Sequence, residues 1–262
     1  MVYMLYVDAA VLFFFVTLWY LVSLAIKRQD IADVLWGAGC VIIVLTSLCT
    51  IDHVTLRSVA MSFMVIVWGS RLSTRIFLKN RGKPEDFRYR ALREAWGRSF
   101  ALRSYFQVFL FQAFLMFVIL TPVLYVIGRQ HAGDIFVLDV LGVLLWLTGF
   151  VIESVADYQL DSFKHKRYNR GQILQSGLWR YSRHPNYFGE VVMWWGLYCI
   201  ALSVPGGSYT AIGPLVITFL ILKVSGIPLI EKRYKDSEKY QRYKKMTSSF
   251  IPLPPRTNTK ED

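Results

Sequence analysis

Cysteine, acidic side chains and metal-ligand patterns are what this sequence has least of. Its three cysteines, Cys40, Cys49 and Cys199, all fall inside apolar runs, so a disulfide framework is not expected. The four histidines (His53, His131, His165, His184) are scattered, and no Cys/His spacing fits zinc, so no metal site is expected. Internal repeats and low-complexity tracts are missing too. Acidic residues number 18 against 30 Lys and Arg, a formal net charge of +12. No nucleic-acid-binding motif accompanies that excess, which argues against nucleic acid as a partner. Anionic lipid headgroups or a phosphate-bearing ligand remain as the partners of so much positive charge.

Apolar residues are abundant. They make up 54% of the 262 residues, and the mean hydropathy is +0.37. Charge and apolar character are segregated along the chain, which is how membrane proteins are written. Crossing a hydrocarbon core of about 30 Å takes roughly 20 apolar residues as a helix. Seven runs come close: 4–26, 32–51, 57–78, 105–127, 135–155, 187–204 and 210–230. The first has no basic segment before it and no clean small-residue cleavage site after it, so it reads as a span and not a removable leader. The expected fold is all-α and polytopic, a single domain over residues 1–255 followed by a polar tail at 256–262.

Charge orients this arrangement. With the N-terminus outside, residues 27–30, 71–104, 157–185 and those beyond 222 face the cytoplasm. They carry 2, 10, 6 and 10 Lys/Arg, which is 28 of the 30. Arg57 and Arg129 alone fall on the other side, an asymmetry that the positive-inside rule expects. A bacterial inner (cytoplasmic) membrane is the expected location.

Ionisable residues inside spans are costly and face a cavity or a partner. Asp33 opens the second span. Glu153 and Asp157, four residues apart, share one helix face, and Lys164 follows on nearly the same face if the helix continues. Asn186 and Glu190 repeat the four-residue spacing. For Asp8 and Asp139, near span ends, an interfacial position is the simpler reading.

The most informative segment is Ser176-Gly-Leu-Trp-Arg-Tyr-Ser-Arg-His-Pro-Asn-Tyr-Phe-Gly-Glu190. Pro185 fits the first turn of a helix, where its missing N–H costs nothing. Arg180, Tyr181, Arg183, His184, Asn186 and Glu190 thus gather at a helix N-terminus, whose free N–H groups and positive dipole end favour an anion. The cations suit phosphates, and Asn186 and Glu190 suit an amide or a ribose hydroxyl. Taken singly, Trp179, Tyr181 and Tyr187 fit an interfacial aromatic belt equally well.

This segment is similar to the signature of the steroid 5α-reductase-like proteins (the DUF1295 group), relatives of the sterol C14- and C24-reductases. The resemblance extends over roughly residues 30–255. It takes in Glu153-Ser-Val-Ala-Asp157 and Lys164, the loop Asn80-Arg-Gly-Lys-Pro-Glu-Asp86, the stretch Ile227-Pro-Leu-Ile-Glu231-Lys-Arg-Tyr234, and Tyr240, Tyr243 and Phe250-Ile-Pro252. It implies about seven helices whose cytoplasmic half encloses NADPH, with a lipophilic substrate arriving from the bilayer. The residues it assigns to the dinucleotide are Asn80, Arg81, Lys83, Glu153, Asp157, Lys164, Asn186 and Glu190, and the residues gathered at the helix N-terminus, Arg180, Tyr181, Arg183 and His184, join them as candidates from their own chemistry. Arg233 and Tyr234 are expected to close over it. In two places the chain departs from those reductases. Glu153 stands where they carry Asn, and Gly69 stands where they carry the tyrosine that helps protonate the ketone.

The implied reaction delivers hydride to the β-carbon of a conjugated C=C bond while an acid stabilises the developing enolate. Asp33 is the better candidate for that acid, and Tyr187 is the second. An S-adenosylmethionine-dependent methyltransferase of the isoprenylcysteine or phospholipid type shares an R-H-P-x-Y-x-G stretch and is the principal alternative. Glu190 directly after Gly189 matches the reductases better. A non-catalytic lipid-binding protein is the third reading, kept open by Gly69.

Overall fold

The computed structural model describes residues 1–130, 133–169 and 171–256. Residues 257–262, most of the expected tail, lie outside the described residues. Among the described residues the architecture is helical throughout, apart from one parallel bridge between Ser182 and Ser248.

Nine helical segments organise the chain: α1 (Val2–Ala25), α2 (Ile31–Thr50), α3 (Leu56–Asn80), α4 (Phe87–Ile119), α5 (Thr121–Arg129), α6 (Val137–His165), α7 (Pro185–Ala201), α8 (Gly207–Arg233) and α9 (Glu238–Met246). Five of them, α1, α2, α4, α6 and α8, are long and apolar enough to cross a membrane. Their outward faces carry Phe14, Leu18, Phe114, Leu144 and Phe219 in the open. Buried on α1 instead are Asp8 and Ser23. Apolar side chains outside with polar ones turned inside is the arrangement that lipid demands, and the chain is an integral multi-pass membrane protein.

Each of the seven expected spans falls on helix, but the boundaries move for physical reasons. The third, α3, is long enough but not apolar enough, and the sixth, α7, has 17 residues. By length and composition neither qualifies as a crossing. The fourth divides at Leu120, because Pro122 in the first turn of α5 supplies no N–H. At its other end α4 begins at Phe87, well before the expected 105, where Asp86 caps it by accepting from Arg88 N at 2.9 Å. It passes Gly97 at φ +48 and a π-helical turn over Tyr105–Leu110. Thr55 and Ser58 cap α3 reciprocally. α6 runs on past residue 155 to His165, so Glu153, Asp157 and Lys164 do ride one helix.

The chain separates into two compact units. One comprises Met1–Ile135 with Ala201–Gly213, the other Phe136–Ile200 with Pro214 onward. In the first, α2 and α3 cross at Gly37 and Gly69. A Cβ on Gly69 would stand 2.7 Å from the Gly37 carbonyl oxygen. Ser73 ties the crossing by donating to Val34 O at 2.7 Å. Gly69 is therefore a packing residue, where a larger side chain has no room.

In the second unit, α6 and α7 meet along two glycine pairs. A Cβ on Gly189 would lie 2.5 Å from Gly149 O, and one on Gly196 would lie 2.7 Å from Gly142 O. Each helix places its two glycines seven residues apart, two turns along one face. The backbones approach as closely as small-residue contacts in membranes permit.

Candidate functional site

In the second unit the glycine contact sets the site. Gly189 sits against the backbone of Glu153, so the N-terminal turn of α7 lies beside the last turns of α6. Asn186 accordingly reaches Asp157, its amide donating to Oδ1 at 3.2 Å. Asp157 and Glu153 are both 3% exposed. Glu190, one turn further along α7, is half-buried. Asn186 Oδ1 is buried with no hydrogen-bond donor among the described residues. Leaving such an acceptor unfilled is costly, which makes it the place for a ligand's donor.

The segment before α7 is fastened on the α6 side. Gly177 turns it at φ +61, a conformation that suits glycine. Leu178 N donates to Gln159 Oε1 and Trp179 Nε1 donates to Ala156 O, each at 3.0 Å. From the other side comes the C-terminal strap, α9 and the residues after it. Arg183 N donates to Ser248 O at 2.8 Å, Ser182 Oγ to Phe250 O at 2.8 Å, and Leu253 N to Tyr181 O at 3.0 Å. Tyr243 donates to the Trp179 carbonyl.

Charges here divide into buried and exposed ones. Arg183, 6% exposed, donates to Lys244 O at 3.2 Å, to Thr247 O at 2.5 Å and to Glu231 Oε1 at 2.5 Å. Glu231 also holds Lys244 at 2.6 Å. His184, 1% exposed, stacks on Tyr187 with ring centres 5.7 Å apart, and its Nε2 lies 4.0 Å from Glu231. Burial, aided by Arg183 and opposed by Glu231, brings the His184 pKa down to about 4, so the ring is neutral at pH 7. Burial likewise pushes Tyr240 up to about 12. By contrast Lys164, Arg180 and Arg233 are exposed, as is Tyr181. Tyr234 stacks on Tyr240 at 5.1 Å.

The remaining candidates lie in the first unit. Asp33 accepts from Arg88 at 2.5 Å and from the Tyr89 hydroxyl at 2.8 Å. Nearby, Arg28 pairs with Asp30 at 2.7 Å, and Arg93 pairs with Glu85 at 3.1 Å. Glu85 accepts from Gln29 N and Asp30 accepts from Asp86 N, so the 80–86 loop is sewn to the α1–α2 turn. Its tip stays open: Gly82 has φ +69, and Arg81 and Lys83 are exposed, with Asn80 half-buried. Arg88 and Tyr89 are partners that the reading of the sequence passed over. Their signal was local, an Asp86 cap immediately followed by a charged and aromatic helical turn.

A family described as "Protein of unknown function (DUF1295)" matches residues 19–247. The chain belongs to this steroid 5α-reductase-like DUF1295 family. An uncharacterised protein of Schizosaccharomyces pombe is 27% identical over 166 residues, 54% of this chain and 47% of that protein. The 3-oxo-5-alpha-steroid 4-dehydrogenase 1 of Bos taurus is 28% identical over 110 residues, 42% of this chain and 41% of the relative. The human protein of that name is 28% identical over 111 residues, with the same shares. The chain thus spans less than half the length of these relatives. All of them are eukaryotic, and they lend no support to a bacterial inner membrane. No solved structure matches.

Proposed function

We propose that this chain is a membrane-embedded, NADPH-dependent reductase of a C=C bond in a lipophilic substrate of steroid, sterol or isoprenoid type. The observation that carries this reading is the buried Asp157–Asn186 pair with Asn186 Oδ1 unfilled. A primary carboxamide, which the nicotinamide ring bears, offers the N–H that this acceptor lacks. Exposed Arg180, Arg233 and Lys164 suit the phosphates, and the donor set therefore fits a dinucleotide. Glu153 and Glu190 are assigned to its hydroxyl and amide groups. Asn80, Arg81, Lys83 and Tyr234 are assigned to it by the family resemblance, and Tyr181 by its place beside Arg180. In this reading seven helices cross the membrane, with the N-terminus outside and these cations on the cytoplasmic side.

Bound NADPH supplies the hydride; the protein binds, orients and delivers a proton. Of the two candidates for the proton, Tyr187 ranks above Asp33. Asp33 accepts from both Arg88 and Tyr89, so both of its oxygens are already engaged. Tyr187 carries its own hydroxyl hydrogen and is backed by the neutral His184 ring.

Thermal unfolding of detergent-purified protein tests the cofactor directly. At a hundredfold excess over Kd, a ligand of the folded state adds about 2.7 kcal/mol. NADPH is expected to raise the Tm by several degrees and NADH by less. A rise with S-adenosylmethionine alone would sink the reductase reading.

A further inference from the structure

Arg183 looks in sequence like one more cation for a phosphate, yet the structure spends it elsewhere. Three of its donors reach three acceptors, all from the C-terminal region: the Lys244 and Thr247 carbonyls and the Glu231 carboxylate. Lys244 lies in the last turn of α9, and Thr247 is the residue that ends it. Carbonyls at a helix C-terminus lack partners within the helix, and a guanidinium there also meets the negative end of the dipole. At 6% exposure the group is largely closed off from solvent, with both terminal nitrogens engaged. An anion would have to displace Glu231 and uncap α9.

Arg183 also stands three residues before Asn186, at the foot of α7. The intervening His184 N is itself held by Ser182 Oγ at 3.1 Å. Any slack in the strap thus reaches the Asn186 amide within one helical turn. We propose that Arg183 is a positioning residue: with Glu231 it fastens the C-terminal strap to the foot of α7 and thereby fixes Asn186 against Asp157 for the dinucleotide. This rests on the cofactor reading above. Tyr243, whose hydroxyl bonds the Trp179 carbonyl and lies 3.3 Å from Ser182 O, is a second and chemically unrelated fastener of the same strap.

The test uses the full chain in detergent, with two readouts: NADPH affinity by quenching of tryptophan fluorescence, and the rate of tryptic cleavage within α9 at Lys244 and Lys245. Arg183→Lys keeps the charge and loses the planar fork; Tyr243→Phe removes only a hydroxyl. Both are expected to weaken NADPH binding about tenfold and to speed cleavage, since small misplacements of a binding group are costly. Arg180→Gln, at an exposed cation, is expected to weaken binding while cleavage stays at the original rate. The positioning role is overturned if Arg183→Lys weakens binding with cleavage unchanged, the mark of a direct ligand. It is equally overturned if Tyr243→Phe speeds cleavage and leaves affinity intact. If the unaltered protein binds no NADPH, the cofactor reading itself fails and the positioning role goes with it, whereas faster cleavage of both variants would still identify the fasteners.

Discussion

The two units carry polar clusters of similar composition that are put together differently. In the first, Asp33 meets Arg88 and Tyr89, Asp30 meets Arg28, and Glu85 meets Arg93. Every named acid there has a cation, and the network knits the 80–86 loop to the α1–α2 turn. In the second, Arg183, Glu231 and Lys244 close among themselves, while Asn186 keeps an unfilled buried acceptor and Arg180 stays exposed. The difference teaches where to look for a ligand. A membrane protein's buried charge is expensive in either setting, so its mere presence marks structure as readily as chemistry. Buried valences left open together, as at Asn186 Oδ1, Arg183 Nε and His184 Nε2, are the sharper sign.

Substitutions can break this contrast, beginning with the seam on which the second cluster depends. Gly189→Ala puts a methyl 2.5 Å from Gly149 O and 2.6 Å from Glu153 N. Overpacking against backbone should cost about 3 kcal/mol, read as a large drop in Tm and in folded yield. Asp157→Ala should cost the site more than the fold. It removes the acceptor that orients Asn186, and a lost buried partner is worth roughly 1–3 kcal/mol, or about 5- to 150-fold in NADPH affinity. Equilibrium titration checks this, and an unchanged Kd would refute the open-valence argument.

Asp33→Asn probes the closed cluster. It strips the Arg88 pairing, half-exposed on the arginine side, so about 1 kcal/mol of stability should be lost, with thermal unfolding as the measure. Smallest, and graded with pH, is the effect of His184. Its folded pKa of about 4 lies below the ordinary value of 6.5, so the unfolded chain binds the proton more readily. Its contribution to stability is present above about pH 6.5 and is lost as pH falls toward 4. The slope of Tm against pH over that window should flatten in His184→Gln.

Much of this was legible in the residues. Helix positions followed from apolar run length, and the shared faces of Glu153/Asp157 and Asn186/Glu190 followed from four-residue spacing. What local pattern could not supply was who meets whom. That Asp157 bonds Asn186 depends on Gly149 and Gly189 letting two backbones touch, a contact between residues 40 positions apart. Arg183 read as a phosphate ligand because its captors, Glu231 and the Thr247 carbonyl, arrive from far downstream. Gly69 read as a missing catalytic group; the Gly37 crossing shows why a side chain is absent there. The split at Leu120 was signalled by Pro122, but a lone proline in an apolar run kinks a helix as often as it ends one.

The paired glycines of α6 and α7 bear on how a ligand could come and go. Two helices in backbone contact at both ends of a two-turn stretch, with Met193 and Ile200 packed tightly onto the α6 glycines, behave as one stiff plank. The carboxylate and amide at its tip must travel together, if they travel at all. Any loosening around that pair then falls to the terminal strap, which is held by side-chain and backbone hydrogen bonds and the Lys244–Glu231 ion pair.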